Sequence, residues 1–175
     1  MARTLWLLRH AQAVNNPPPG GRDRDRRLSP RGQKQVVELA AIVEAGQLGQ
    51  LGPALVLTSP SARTKATAEG VFVGRGSDVA VATDRRLYQA TPDDLLEIIR
   101  EVPDEIDALG VVGHNPTIHC MVIDLVEGTR PGGLAPPSRS YPPASLSIIE
   151  FNVDSWTEIS WSSGELRVLE IPSEH

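Results

Sequence analysis

Two histidines each stand directly after a short apolar run, with anion-binding chemistry beside them. Arg9-His10 follows Leu5-Trp6-Leu7-Leu8, and His114-Asn115-Pro116 follows Leu109-Gly110-Val111-Val112-Gly113. A third run, Leu55-Val56-Leu57, leads into Thr58-Ser59-Pro60-Ser61-Ala62-Arg63. A neutral imidazole can attack phosphorus and split a hydrolysis into two easier displacements. A guanidinium offers a planar fork of donors that matches phosphate oxygens, and it stays charged at any physiological pH. A lone histidine is more often a hydrogen-bonded structural residue, and a lone arginine a solvated surface charge. The chemistry is argued from the set: Arg9, His10, Arg63 and His114 all lie at or just past the ends of apolar runs.

Such a set needs a scaffold to gather it. If the three runs are parallel strands of one open α/β sheet, their carboxyl ends share the edge where such sheets bind ligands. The four residues then meet in one pocket suited to a phosphoryl group. Pro116 at a helix start would aim backbone N–H groups and the positive helix end into the same cleft. His114 then either caps that helix or, if charged, stabilises the equatorial oxygens of a transferring phosphoryl group.

The rest of the chain supplies that scaffold. Thr4 to Leu8 reads as a buried strand, and Val14 to Asp25, with its Pro17-Pro18-Pro19-Gly20-Gly21 run, as an extended loop. Ser29-Pro30 is an N-cap followed by proline at the first helical position. Val36, Leu39, Ala40 and Val43 keep helical spacing until Gly46. Ala54 to Thr58 is a second strand, Ala62 to Phe72 a helix, and Val79 to Thr83 a third strand beyond the turn Gly74 to Asp78. Pro92 opens a helix with Leu95, Leu96, Ile98, Ile99 and Val102; Leu109 to Gly113 is the fourth strand. Pro116 opens a last helix with Ile118, Met121, Val122 and Leu125. After the proline-rich loop Gly132 to Pro143, the stretches Ala144 to Asn152, Trp156 to Trp161 and Leu166 to Ile171 predict a terminal β-meander. The fold class expected is α/β: a three-layer sandwich whose mostly parallel sheet is flanked by helices, with the meander extending its edge.

Composition narrows the function classes. A chain of 175 residues suits one domain, 1–175. Its 17 basic and 22 acidic residues leave a net charge of -5, which argues against a nucleic-acid or anionic-membrane partner. No apolar stretch approaches a membrane span or a signal-peptide core. One cysteine, Cys120, allows no internal disulfide and fits a reducing cytosol. Gly74-x-Gly76 precedes a strand and lacks a third glycine, so it is no dinucleotide loop. His114 and His119 are off the spacing of two metal ligands on one helical face, and neither a metal nor a cofactor is expected.

Four blocks now resemble one family in order. Leu8-Arg9-His10-Ala11-Gln12, with Asn16 following, resembles the Arg-His-Gly signature of the histidine phosphatase superfamily, alanine replacing glycine. Asp25-Arg26-Arg27-Leu28-Ser29-Pro30-Arg31-Gly32-Gln33 resembles its second block, Thr58 to Glu69 its third, and Val111 to Pro116 its fourth. The Arg-His-Ala form and the Gly-His-Asn-Pro ending are most similar to the small phosphohistidine-phosphatase branch. The resemblance implies a phosphoglycerate mutase-like fold, His10 as nucleophile, and Arg9, Arg63 and His114 as the phosphate clamp. It also implies phosphate contacts from Arg26 and Asn16.

One position departs from the pattern. Many members carry a general-acid glutamate where Leu87-Tyr88-Gln89 places a glutamine, and Gln89 cannot donate a catalytic proton. Either Asp93 or Asp94 substitutes, or the substrate needs little acid help, as the labile P–N bond of a phosphohistidine would. Asp93-Asp94 also suits a helix first turn, where acidic residues complement the dipole. The expected activity is a metal-independent phosphatase acting on a phosphohistidine-bearing protein through a phosphohistidine intermediate. The alternatives are a phosphomonoesterase for a small phosphorylated metabolite and a weakly catalytic phosphate-binding regulatory module.

Overall fold

The computed structural model describes residues 2–49, 52–74, 78–126, 128 and 133–173. One sheet of six strands organises them. The strands are β1 (Arg3–Arg9), β2 (Leu55–Thr58), β3 (Ala80–Thr83), β4 (Ala108–Gly113), β5 (Leu146–Phe151) and β6 (Glu165–Glu170), in the spatial order β3-β2-β4-β1-β5-β6. β1, β4, β2 and β3 pair in parallel, and β5 and β6 add an antiparallel edge.

Side-chain alternation on β1 explains the layers. Leu5 and Leu7 belong to the apolar cluster under α3 (Pro92–Arg100) and α4 (Thr117–Leu125). Trp6 and Leu8 join the opposite cluster, under α1 (Pro30–Glu44) and α2 (Ala62–Phe72). A strand buried on both faces must be apolar throughout, as a central parallel strand is. The expected three-layer α/β sandwich is the fold observed.

Local signals set the helix starts. Ser29 accepts from the Gly32 N–H and Ser61 from the Thr64 N–H; Thr91 accepts from the Asp94 N–H while Asp94 answers onto the Thr91 N–H. Gly46, at φ +64°, takes the left-handed conformation just past α1. Gly32 allows α1 to lie against the chain after His10: a Cβ there would meet the Gln12 carbonyl oxygen at 2.0 Å.

Three expectations are corrected. Trp156–Glu158 is a 3-10 turn rather than a strand, so the terminal unit is the hairpin β5–β6. Ser155 caps that turn and Glu158 completes the capping box, while the buried Trp156 indole donates to the Ile106 carbonyl at 2.7 Å. α3 ends at Arg100; Val102 is buried beyond it. Pro116 precedes α4 as its N-cap instead of opening it. Residues 75–77 of the turn at Gly74 and Gly132 of the proline-rich loop lie outside the described residues.

Candidate active site

Strand register brings the two histidines together. Arg9 pairs with Gly113 across β1 and β4, so His10 and His114 are the next residues past adjacent strand ends. The His10 N–H donates to the Gly113 carbonyl at 3.1 Å, and the ring centroids are 5.3 Å apart at 63°. Arg63 arrives from the first turn of α2, beyond β2. α2 is tied to the His10 segment through Thr67, whose hydroxyl accepts from the Ala11 N–H at 3.0 Å and donates to the Arg63 carbonyl at 2.7 Å. Arg9, His10, Arg26, Arg63, Gln89 and His114 line one cavity of about 380 Å³, joined by Asp23, Tyr88 and Asn115.

Hydrogen bonds assign the protons. A carbonyl only accepts, so the 2.8 Å contact from His10 Nδ1 to the Ala11 carbonyl oxygen puts the proton on Nδ1. Nε2 is then the nitrogen with a free electron pair. Burial lowers the His10 pKa to about 3, and the positive surroundings of His114, Arg63 and Arg9 push the same way against the bond to Ala11. His10 is neutral at pH 7. Arginine only donates, so the 3.4 Å contact of Arg63 Nη2 makes His114 Nδ1 an acceptor. The His114 proton is on Nε2, 2.8 Å from the hydroxyl oxygen of the buried Ser59. Burial first and Arg63 second lower the His114 pKa to about 4. His114 in the free site is therefore neutral, and its side chain holds Ser59 rather than capping α4.

Asp23 occupies the cationic side of the cavity. Arg63 donates from Nη1 to the Asp23 backbone carbonyl at 2.9 Å and from Nη2 to Asp23 Oδ2 at 3.1 Å. The Tyr88 hydroxyl donates to the same Oδ2 at 2.6 Å, and Arg26 Nη1 reaches Oδ1 at 3.2 Å. The Tyr88 bond first, and Arg63 after it, hold the Asp23 carboxyl below the usual range. The Tyr88 ring stands edge-on to His114 at 5.6 Å. Arg9 Nη1 donates to the Tyr141 carbonyl at 2.8 Å; Arg9 Nε and Arg63 Nε are buried with no partner. The site holds spare donor capacity of the kind an oxyanion uses.

Two expected contacts are corrected. Asn16 does not line the cavity: an isolated bridge pairs Ala13 with Leu28, and residues 15–20 between these stems are exposed. Asp93 and Asp94 are also outside it, exposed on the first turn of α3, where Asp94 accepts from the Thr91 N–H at 2.9 Å and the Thr91 hydroxyl at 2.8 Å. Gln89 does line the cavity, as does Arg26. Asp23, Tyr88 and Ser59 escaped the sequence reading. Asp23 sits in the run Arg22-Asp23-Arg24-Asp25-Arg26-Arg27, whose alternating charge looks like a solvated stretch. His119 is held elsewhere, its Nε2 2.6 Å from the Pro137 carbonyl and its ring stacked on Tyr141. Among the described residues no three His, Cys, Asp or Glu side chains gather as a metal site, and no helix is long and apolar enough to cross a membrane.

This geometry agrees with what the chain is similar to. Residues 5–108 match the family model of the histidine phosphatase superfamily, branch 1. The chain belongs to that superfamily and is a phosphatase. Its relatives include an uncharacterized protein of Mycobacterium leprae, 29% identical over 153 residues, which cover 86% of this chain and 89% of the relative. A SixA protein of Nakamurella multipartitia, named as a candidate phosphohistidine phosphatase, superposes with a TM-score of 0.79 at 27% identity, over 98% of this chain and 97% of that one. The protein histidine phosphatase SixA, solved with tungstate, shares the fold with a TM-score of 0.64 at 17% identity, over 94% of this chain and 97% of that one.

Proposed function

We propose that the protein removes the phosphoryl group from phosphohistidine on another protein, without a metal ion, through a covalent phosphohistidine at His10. The observation that carries this reading is the tautomer of His10. Its Nδ1 proton is held by Ala11, its pKa of about 3 keeps it neutral, and Nε2 is left as the nucleophile in a cavity of guanidiniums. The first displacement forms the bond from phosphorus to Nε2 and breaks the bond to the leaving group. Water attacks the phosphoenzyme in the second, releasing inorganic phosphate and restoring His10.

Arg9 and Arg63, with Arg26 at the side of Asp23, neutralise the phosphoryl oxygens in place of a metal ion. His114 is neutral until an anion arrives. The dianion offsets the positive field of Arg63 and favours a proton on Nδ1, from which His114 donates to an equatorial oxygen. Gln89 offers no acid, which a labile P–N bond tolerates better than an alkyl ester does. The candidate phosphohistidine phosphatase among the neighbours, and the tungstate oxyanion bound by another, support the same reading. Residues 1–175 act on this view as one domain, and the lone Cys120 suits the cytosol.

The test is substrate profiling joined to trapping. Wild-type enzyme given labelled phosphohistidine protein and quenched in alkali should carry label at His10. His10→Ala should lose the label and, on the order of a thousandfold or more, the turnover. Undiminished hydrolysis by that variant removes His10 from the nucleophile's role. A sugar or nucleotide phosphate hydrolysed far faster than the phosphoprotein moves the substrate class to small monoesters.

A further inference from the structure

A second cavity, of about 220 Å³, adjoins the phosphoryl pocket. The two share Tyr88, Gln89, His114 and Asn115, but His10 lines only the first. In-line displacement sends the leaving group away from the nucleophile, and of the two cavities the second is the one that His10 does not line. The remaining walls include Leu87, Leu95, Val111 and Ile118, all buried and apolar. Among the described residues its lining contains no lysine, arginine, aspartate or glutamate. A leaving group bearing a carboxylate or a second phosphate finds no arginine or lysine there. The volume lies below the roughly 300–1,000 Å³ of sites for drug-sized ligands and suits one small uncharged ring.

Asn115 marks what that ring must offer. Its Nδ2 donates to the Tyr141 carbonyl at 2.9 Å, and since a carbonyl only accepts, the amide orientation is determined. Oδ1 is therefore the opposite atom, buried and without a partner. A buried acceptor with nothing to accept costs about 1–3 kcal/mol, which a donor on the ligand recovers. The Thr117 hydroxyl proton is already used on the Ala90 carbonyl at 2.6 Å.

We propose that Asn115 Oδ1 accepts the N–H of the departing imidazole and so makes the site selective for phosphorylated imidazoles over phosphate monoesters. The inference rests on the function proposed above and extends it to the leaving-group side. When the P–N bond breaks, its electron pair stays on the bridging nitrogen. The ring's remote nitrogen keeps its proton, so imidazole leaves neutral and no acid is needed at the bridging atom. A bond from the remote N–H to Asn115 Oδ1 favours that protonated form. A glutamine at position 89 then suffices, because the proton enters on the substrate itself.

Asn115→Ala should lower kcat/KM for phosphohistidine or N-phosphoimidazole on the order of 10- to 100-fold, the size of one hydrogen bond from a charged donor. 4-Nitrophenyl phosphate, which has no such N–H, should lose less in the same variant, so that the ratio of the two kcat/KM values falls about tenfold or more. Parallel losses on both substrates overturn the proposal. A second arm leaves the protein intact. Wild type is assayed on N-phosphoimidazole methylated at the remote nitrogen, with each rate divided by the substrate's spontaneous decay. Acceleration should drop about tenfold or more; equal acceleration of the two substrates also overturns the assignment. If wild type fails on every phosphoramidate, it is the proposed function that falls, a result distinct from wild-type turnover without selectivity at Asn115.

Discussion

Asp23→Asn should tighten the binding of inorganic phosphate and orthovanadate. The side-chain carboxylate of Asp23 occupies Arg63 Nη2 at 3.1 Å, so an oxyanion using that donor must displace it. The Arg63 side chain is 8% exposed and that of Asp23 is 52% exposed. The pair is half solvated, and a contact of that kind contributes about 1 kcal/mol or less. Removing the charge while keeping the shape and the backbone bond to Nη1 should return that amount to the ligand, a gain of about fivefold in affinity. Titration calorimetry of both variants with phosphate at pH 7 reads the ratio. Raising the salt should narrow it, because the displaced pair is partly exposed. An affinity that is unchanged or weaker in a folded Asp23→Asn protein refutes the reasoning. It would mean that the carboxylate stays beside the bound anion and orients Arg63 instead of competing for it.

Acid should destabilise the protein through its two site histidines. Both have folded pKa values, about 3 for His10 and about 4 for His114, below the usual 6.5. The unfolded chain binds protons below pH 6.5 that the folded chain refuses until pH 4 to 3, so stability is full above that window and falls as pH drops through it. At pH 4.5 each histidine should remove about 2 kcal/mol relative to pH 7, and urea titration of wild type against His10→Gln isolates the His10 share. Identical pH slopes would show that His10 is not held neutral by burial. Gly32→Ala should cost about 1–3 kcal/mol in urea midpoint analysis through overpacking. The new Cβ meets a Gln12 carbonyl already held by the Ser29 N–H at 2.9 Å, while the Gln12 N–H is fixed on Gln35 Oε1 at 2.9 Å. A loss under about 0.5 kcal/mol would mean that this crossing yields easily.

Periodicity and punctuation carried the framework. Apolar runs of strand length, the Ser-Pro start of α1, the proline that opens α3 and the glycine after α1 act within a few residues, so the order of strands and helices was legible, including Ala62–Phe72 to the residue. The convergence of Arg9, His10, Arg63 and His114 was legible too, because parallel strands bring their carboxyl ends to one edge. The Trp156 segment misled because Ser155 and Glu158 form a capping box in a stretch that alternates like a strand. Asn16, Asp93 and Asp94 misled because proximity in sequence to a site residue does not bring a side chain to the cavity. Asp23, 40 residues from Arg63, entered only by folding. The positions of the protons, the neutrality of both imidazoles and the unpartnered Asn115 oxygen were likewise decided by tertiary structure. The sequence by itself determined the succession of strands and helices and the residues at their ends, since periodicity and local capping depend on neighbours along the chain. Only the fold decided which of them are desolvated, which donors are already used and which remain free, because those properties depend on neighbours in space.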